Sequence, residues 1–144
     1  MTDPTPIARE LDHIAIVVRD TEEALRFYRD TLGLPLLFSE EIATGNVRLT
    51  HLDLGNLHLQ LCEPLTDDHP LRQHLDEHGE GLHHLCLKVD GVAETIAALP
   101  SRGLAPKSET PHDGPNGRKA GFVDPATARG VVWEFTAEAG DGQP

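Results

Sequence analysis

Two apolar runs of similar pattern stand 71 residues apart, LDHIAIVV at residues 11–18 and LHHLCLKV at 82–89, and both predict strands. Each is followed by an acidic residue, Asp20 or Asp90, and then by a stretch of helical character, TEEALRFYRDTLGL and GVAETIAALPSRGL. Both stretches close on glycine followed by leucine, Gly33–Leu34 and Gly103–Leu104. A glycine there is the signal of a helix that stops in the left-handed conformation. Pro100 is the irregularity, and it predicts that the second helix ends or kinks early.

Shorter segments that read as strands follow each helix. In the first half these are LPLLFSEE, NVRLTHLDL and LHLQLCEP; in the second they are LAPKSET, KAGFVD and GVVWEFT. Turn residues separate them, as at Gly55–Asn56, Pro115–Asn116–Gly117 and Asp124–Pro125. Between the halves, DDHPLRQHLDEHGEG predicts a short helix with Pro70 in its first turn. The expected fold is α+β, one domain over 1–144 with the order strand, helix, three strands written twice. The modules are expected at 10–64 and 81–137, joined by a helix within 65–80 and followed by a flexible tail at 138–144. Agreement of sequence and element order together makes an internal repeat the better reading than accidental similarity.

Composition narrows the function. The chain has 24 acidic and 12 basic residues and a formal net charge of −12. Nucleic-acid binding depends on basic surface, so this balance argues against it. No apolar run approaches the roughly 20 residues of a membrane helix. The opening MTDPTPIARE lacks the layout of a signal peptide, which predicts a cytoplasmic protein. Two cysteines, Cys62 and Cys86, fit that compartment as buried free thiols.

Four polar residues occupy matched positions in the repeat. His13 and His84 sit alike in the two opening strands, and Gln60 and Glu134 sit alike in the two closing strands, 74 residues apart. Singly, a strand histidine is usually a packed side chain, and a strand Gln or Glu usually faces solvent. The joint pattern of type and position instead predicts one site with two imidazoles, an amide oxygen and a carboxylate. Such a set suits one divalent Co, Mn, Zn, Ni or Fe ion better than calcium, and leaves two octahedral positions for water or substrate. A Cys/His zinc site is the alternative, because Cys62 shares a face with Gln60 and Cys86 with His84, but the spacing matches no zinc motif. His83 is expected on the face opposite His84. His51, His58, His69, His74, His78 and His112 are expected at the surface.

The paired modules, with DHIAIVV opening the first and HHLCLKV the second, resemble the vicinal-oxygen-chelate superfamily over about residues 10–136. Within it, LDHIAIVVRDTEEALRFYRDTLGL, LGNLHLQLCEPL, HPLRQHLDEHGEGLHHLCLKVD and GFVDPATARGVVWEF are most similar to the methylmalonyl-CoA epimerases. The resemblance implies two tandem βαβββ modules forming a half-open mixed sheet cleft around a metal site. It implies His13, Gln60, His84 and Glu134 as metal ligands, a preference for Co or Mn, an acyl-CoA substrate and a homodimer. Some epimerases carry a glutamate on a strand of the first module as a second base; here ATGNVRLT brings Leu49 to that place.

The expected chemistry is epimerisation of methylmalonyl-CoA or a related 2-substituted acyl-CoA. Glu134 would remove the α-proton and the metal would stabilise the enolate. Arg118 and Lys119 are candidate substrate-binding cations, although an ordinary charged turn explains them equally well. The rivals are a glyoxalase I-like lyase, which shuttles a proton at the same kind of site, and a non-catalytic bleomycin-resistance-type binding protein. An aromatic content of 4% disfavours the second.

Overall fold

The computed structural model describes residues 5–138, so the tail expected at 138–144 lies outside the described residues beyond Glu138. The chain separates into two compact units, residues 13–84 and a discontinuous unit made of 1–12 with 85–144.

In the continuous unit, β1 (Leu11–Val17) leads into α1 (Thr21–Leu25), whose N-terminus is capped by Asp20 accepting from the Glu23 amide. The Thr21 amide and hydroxyl both donate to Glu63 Oε1, at 2.9 and 2.6 Å, and pin α1 to β4 (His58–Pro64). The helix does not stay α to its end. Residues Arg26–Thr31 form a π-helical stretch, with the Leu32 amide donating to the Phe27 carbonyl five residues back. Gly33 then stops it at φ 76°, and the Leu34 amide closes on the Tyr28 carbonyl.

Strands β2 (Leu36–Ile42) and β3 (Val47–Asp53) pair antiparallel, as do β3 and β4, and β1 lies parallel to β4. The order is therefore β2-β3-β4-β1. Val18, Leu25, Leu52, Leu59 and Leu61 form the core under α1, and Ala15, Ile42, Leu49 and Cys62 form a second cluster. Helix α2 (Pro70–His78) starts at the expected proline, is capped by the His69 side chain, and stops at Gly79.

The second unit repeats the plan with shorter parts. β5 (Gly81–Lys88) passes into it and is followed by α3 (Val92–Ala98). Pro100 ends that helix and starts a single 3-10 turn, which Gly103 closes at φ 77°. The segment LAPKSET was expected to be a strand and is not; it contributes only an isolated bridge from Pro106 to Val123. Pro106 and Pro111 lack amide protons, so a continuous ladder cannot form there. The edge strand is instead β6 (His112–Asp113), followed by β7 (Lys119–Phe122) and β8 (Trp133–Thr136), in the order β5-β8-β7-β6. Val92, Ile96, Leu99, Val123 and Phe135 form the core, and the N-terminal residues Ile7 and Ala8 pack against it. Among the described residues no helix is long and apolar enough to cross a membrane.

Candidate metal and proton-transfer site

Strand alternation places His13, Ala15 and Val17 of β1 on one face, and the parallel register sets His58, Gln60 and Cys62 of β4 beside them. The antiparallel register continues that face onto β3, with His51 opposite Gln60 and Leu49 opposite Cys62. It then reaches β2 at Phe38 and Glu40. This face of the continuous unit is polar and yet buried: His13, Gln60, His51 and His84 are all less than 7% exposed. The His13 and His84 rings lie 5.8 Å apart, and the His13 and His51 rings 5.4 Å apart.

Buried polar side chains need partners. Here His84 and Gln60 are each held by a neighbour. Nδ1 of His84 lies 2.8 Å from Nδ1 of His83. The amide nitrogen of Gln60 lies 2.9 Å from Nε2 of His51, while its Oε1 accepts from the Cys62 thiol at 3.1 Å. His83 was expected to point away from His84; the two ring nitrogens nevertheless meet, because rotation about the side-chain bonds lets adjacent strand residues lean toward one another. His51 was expected at the surface and is 3% exposed. Its ring stacks on Phe38 at 4.4 Å and its Nδ1 meets Nδ1 of His58 at 2.9 Å. His74 stands near His83, with ring centroids 4.9 Å apart, while His78 is exposed.

Glu134 belongs to the other unit, on β8, and is 6% exposed. It stands opposite Cys86 of β5 and Phe122 of β7. Oε2 of Glu134 lies 3.0 Å from Nε2 of His112, and the His112 ring stacks on Phe122. Burial, followed by the charges of Glu134 and Asp12, pushes the Cys86 thiol well above its usual pKa, so it stays protonated. Both cysteines are buried and free.

The two candidate substrate cations are already engaged. Arg118 donates to Asp12 at 2.8 Å and to Glu138 at 2.7 Å, and Lys119 donates to Asp113. Burial alone would lower the Arg118 pKa, but the hydrogen bonds and charges of Asp12 and Glu138 outweigh it and raise the value. A substrate anion at either residue would share the cation with a carboxylate or displace it.

The donor set fits a divalent cation chemically. Two imidazoles, an amide and a carboxylate are each buried, and His84, Gln60 and Glu134 are each oriented at one end by a second side chain, as outer partners orient metal ligands. Sequence reading placed His51 and His112 at the surface and tied neither to the ligand it holds, because these contacts form across strands, 9 and 22 residues apart in the chain. Only the β3–β4 register could have found His51.

Residues 12–122 match the family described as the Glyoxalase/Bleomycin resistance protein/Dioxygenase superfamily. The chain belongs to this superfamily. Among curated relatives, the uncharacterized protein YqjC of Bacillus subtilis is 34% identical over 91% of this chain and 94% of its own. The mitochondrial methylmalonyl-CoA epimerase of Mus musculus is 30% identical over 87% of this chain and 71% of its own. A solved structure of a Streptomyces coelicolor methylmalonyl-CoA epimerase variant, in complex with 2-nitronate-propionyl-CoA, superposes with a TM-score of 0.85 at 29% identity. The match covers 95% of this chain and 99% of that one. The vicinal-oxygen-chelate fold expected from the sequence is thus the fold of this chain and of its epimerase relatives.

Proposed function

We propose that the protein is a divalent-metal-dependent epimerase of methylmalonyl-CoA or a closely related 2-substituted acyl-CoA. His13, Gln60, His84 and Glu134 would hold the ion, with Co²⁺ or Mn²⁺ favoured. The observation that carries this reading is the shared construction of the four positions. Each is a buried strand residue, and His84, Gln60 and Glu134 are each tied at one end by an imidazole or, for Gln60, also a thiol. The likeness to epimerases at about 30% identity over most of the chain supports the substrate class.

When bound, the ion supplies Lewis-acid stabilisation of the negative charge that develops on the thioester oxygen. The rest is the work of the chain. Glu134 takes the α-proton, and His112 on Oε2 holds the carboxylate in place and offers a route for that proton toward solvent. His112 is 42% exposed at its side chain, so this route opens outward. Leu49 cannot exchange a proton, so the second transfer needs a group other than the strand residue some epimerases use. The substrate carboxylate is proposed to displace Asp113 from Lys119 or Glu138 from Arg118.

The test is α-proton exchange of methylmalonyl-CoA in D₂O, followed by NMR. Exchange that stops with EDTA, returns with Co²⁺ and is lost in Glu134→Gln is the expected result. Undiminished exchange in Glu134→Gln would remove Glu134 from the role of base.

A further inference from the structure

We infer that His51 is the positioning residue of the Gln60 amide, and that it determines which end of that amide is presented as a ligand. The inference rests on the reading of Gln60 as a metal ligand, and goes beyond it to a residue that touches neither metal nor substrate.

An amide group offers an oxygen that can bind a cation and a nitrogen that cannot. A 180° turn about its last bond exchanges the two with little change of shape. A ligand of this kind is useful only if something fixes the turn. Nε2 of His51 stands 2.9 Å from the Gln60 nitrogen, deep in the unit, where both side chains are 3% exposed. The Cys62 thiol donates to the Gln60 oxygen from the other side. A thiol is a weak donor that a cation can replace, whereas the imidazole contact is the stronger one.

For His51 to accept from the amide, its proton must sit on Nδ1, and that atom meets Nδ1 of His58 at 2.9 Å. The chain of contacts is directional: His51 donates from Nδ1 to His58 and accepts at Nε2 from Gln60. The His51 ring cannot easily turn over to break this, because it is stacked on Phe38 with the planes 21° apart. The cross-strand register puts His51 directly opposite Gln60 and Phe38 directly opposite His51, so all three are set by β-pairing and not by a loop.

The experiment compares Co²⁺ affinity, by equilibrium dialysis, for the parent, His51→Leu, His51→Asn, Gln60→Ala and the double variant His51→Leu/Gln60→Ala, with circular dichroism confirming the fold. The expected result is a roughly tenfold to hundredfold weaker affinity for His51→Leu. Partial rescue is expected in His51→Asn, whose side-chain oxygen can accept from Gln60. The double variant should bind no more weakly than Gln60→Ala. A direct readout on the metal-free protein accompanies it: one Gln60 amide proton shifted downfield and slow to exchange, and returned to ordinary values in His51→Leu. Parent-like affinity in His51→Leu, or ordinary Gln60 amide protons in the metal-free parent should the leucine variant not fold, overturns the inference while leaving Gln60 as a ligand. Undiminished affinity in Gln60→Ala removes Gln60 from the ligand set and the inference with it.

Discussion

At the scale of the residue, packing leaves no slack at Gly121. A β-carbon there would stand 2.8 Å from two ring carbons of Phe135, which is 1% exposed in the core of its unit. Gly121→Ala should therefore destabilise the protein by about 1–3 kcal/mol through overpacking, measured by urea unfolding. Glu138 makes the opposite kind of case. A hydrogen bond from Lys88, with the nearby charge of Arg118, holds its carboxyl below the usual value of 4.5. A carboxylate held down in this way stabilises the fold above its unfolded pKa and loses that contribution as pH falls through the folded one. Glu138→Gln should lower the denaturation midpoint at pH 7 and match the parent once both are acidified well below 4.5. The side chain is 46% exposed, so the difference at pH 7 should stay under about 1 kcal/mol.

At the scale of the element, α1 is only five residues long and opens with a capped N-terminus. Asp20→Ala removes the acceptor for the Glu23 amide and should cost about 1 kcal/mol, read from the same unfolding curves. Much at this scale was legible in sequence. The glycines at 33 and 103 do stop helices, at φ 76° and 77°, and Pro100 does cut the second helix short. The π-helical stretch at Arg26–Thr31 was not legible, because its apolar spacing reads as an ordinary helix. LAPKSET misled because its length suited a strand while Pro106 within it and Pro111 just after it forbade one. His13, Gln60, His84 and Glu134 were picked out because the repeat marked them, and all four are buried. His51 carried no such mark. NVRLTHLDL is buried on both faces of β3, so alternation gave it no outward or inward sense, and its significance comes only from the strand opposite.

At the scale of the whole molecule, the proposed ion is linked to folding. An ion that binds only the folded chain raises its apparent stability by mass action. Saturating Co²⁺ at a hundred times its dissociation constant should add about 2.7 kcal/mol. Calorimetry before and after EDTA checks this, and the gain should be lost in Gln60→Ala. The homodimer implied by the family resemblance is proposed to form along β2, an edge strand with Leu36 and Leu37 exposed. Light scattering should give about twice 15.7 kDa, and Leu36→Glu with Leu37→Glu should give the single-chain mass.

The discontinuous unit has a consequence for the order of assembly on the ribosome. Ile7 and Ala8 pack on a core built wholly from residues after 88, and the Thr5 carbonyl accepts from Arg102. The leading segment is thus made first and needed last. At ordinary synthesis rates it waits on the order of ten seconds for its partners to emerge. Meanwhile residues 13–84, an uninterrupted stretch with its own core, are free to fold as they appear. Nascent chains arrested once residue 84 has cleared the ribosome should already protect β1–β4 from protease, while residues 5–10 stay open to cleavage until the C-terminal half is complete.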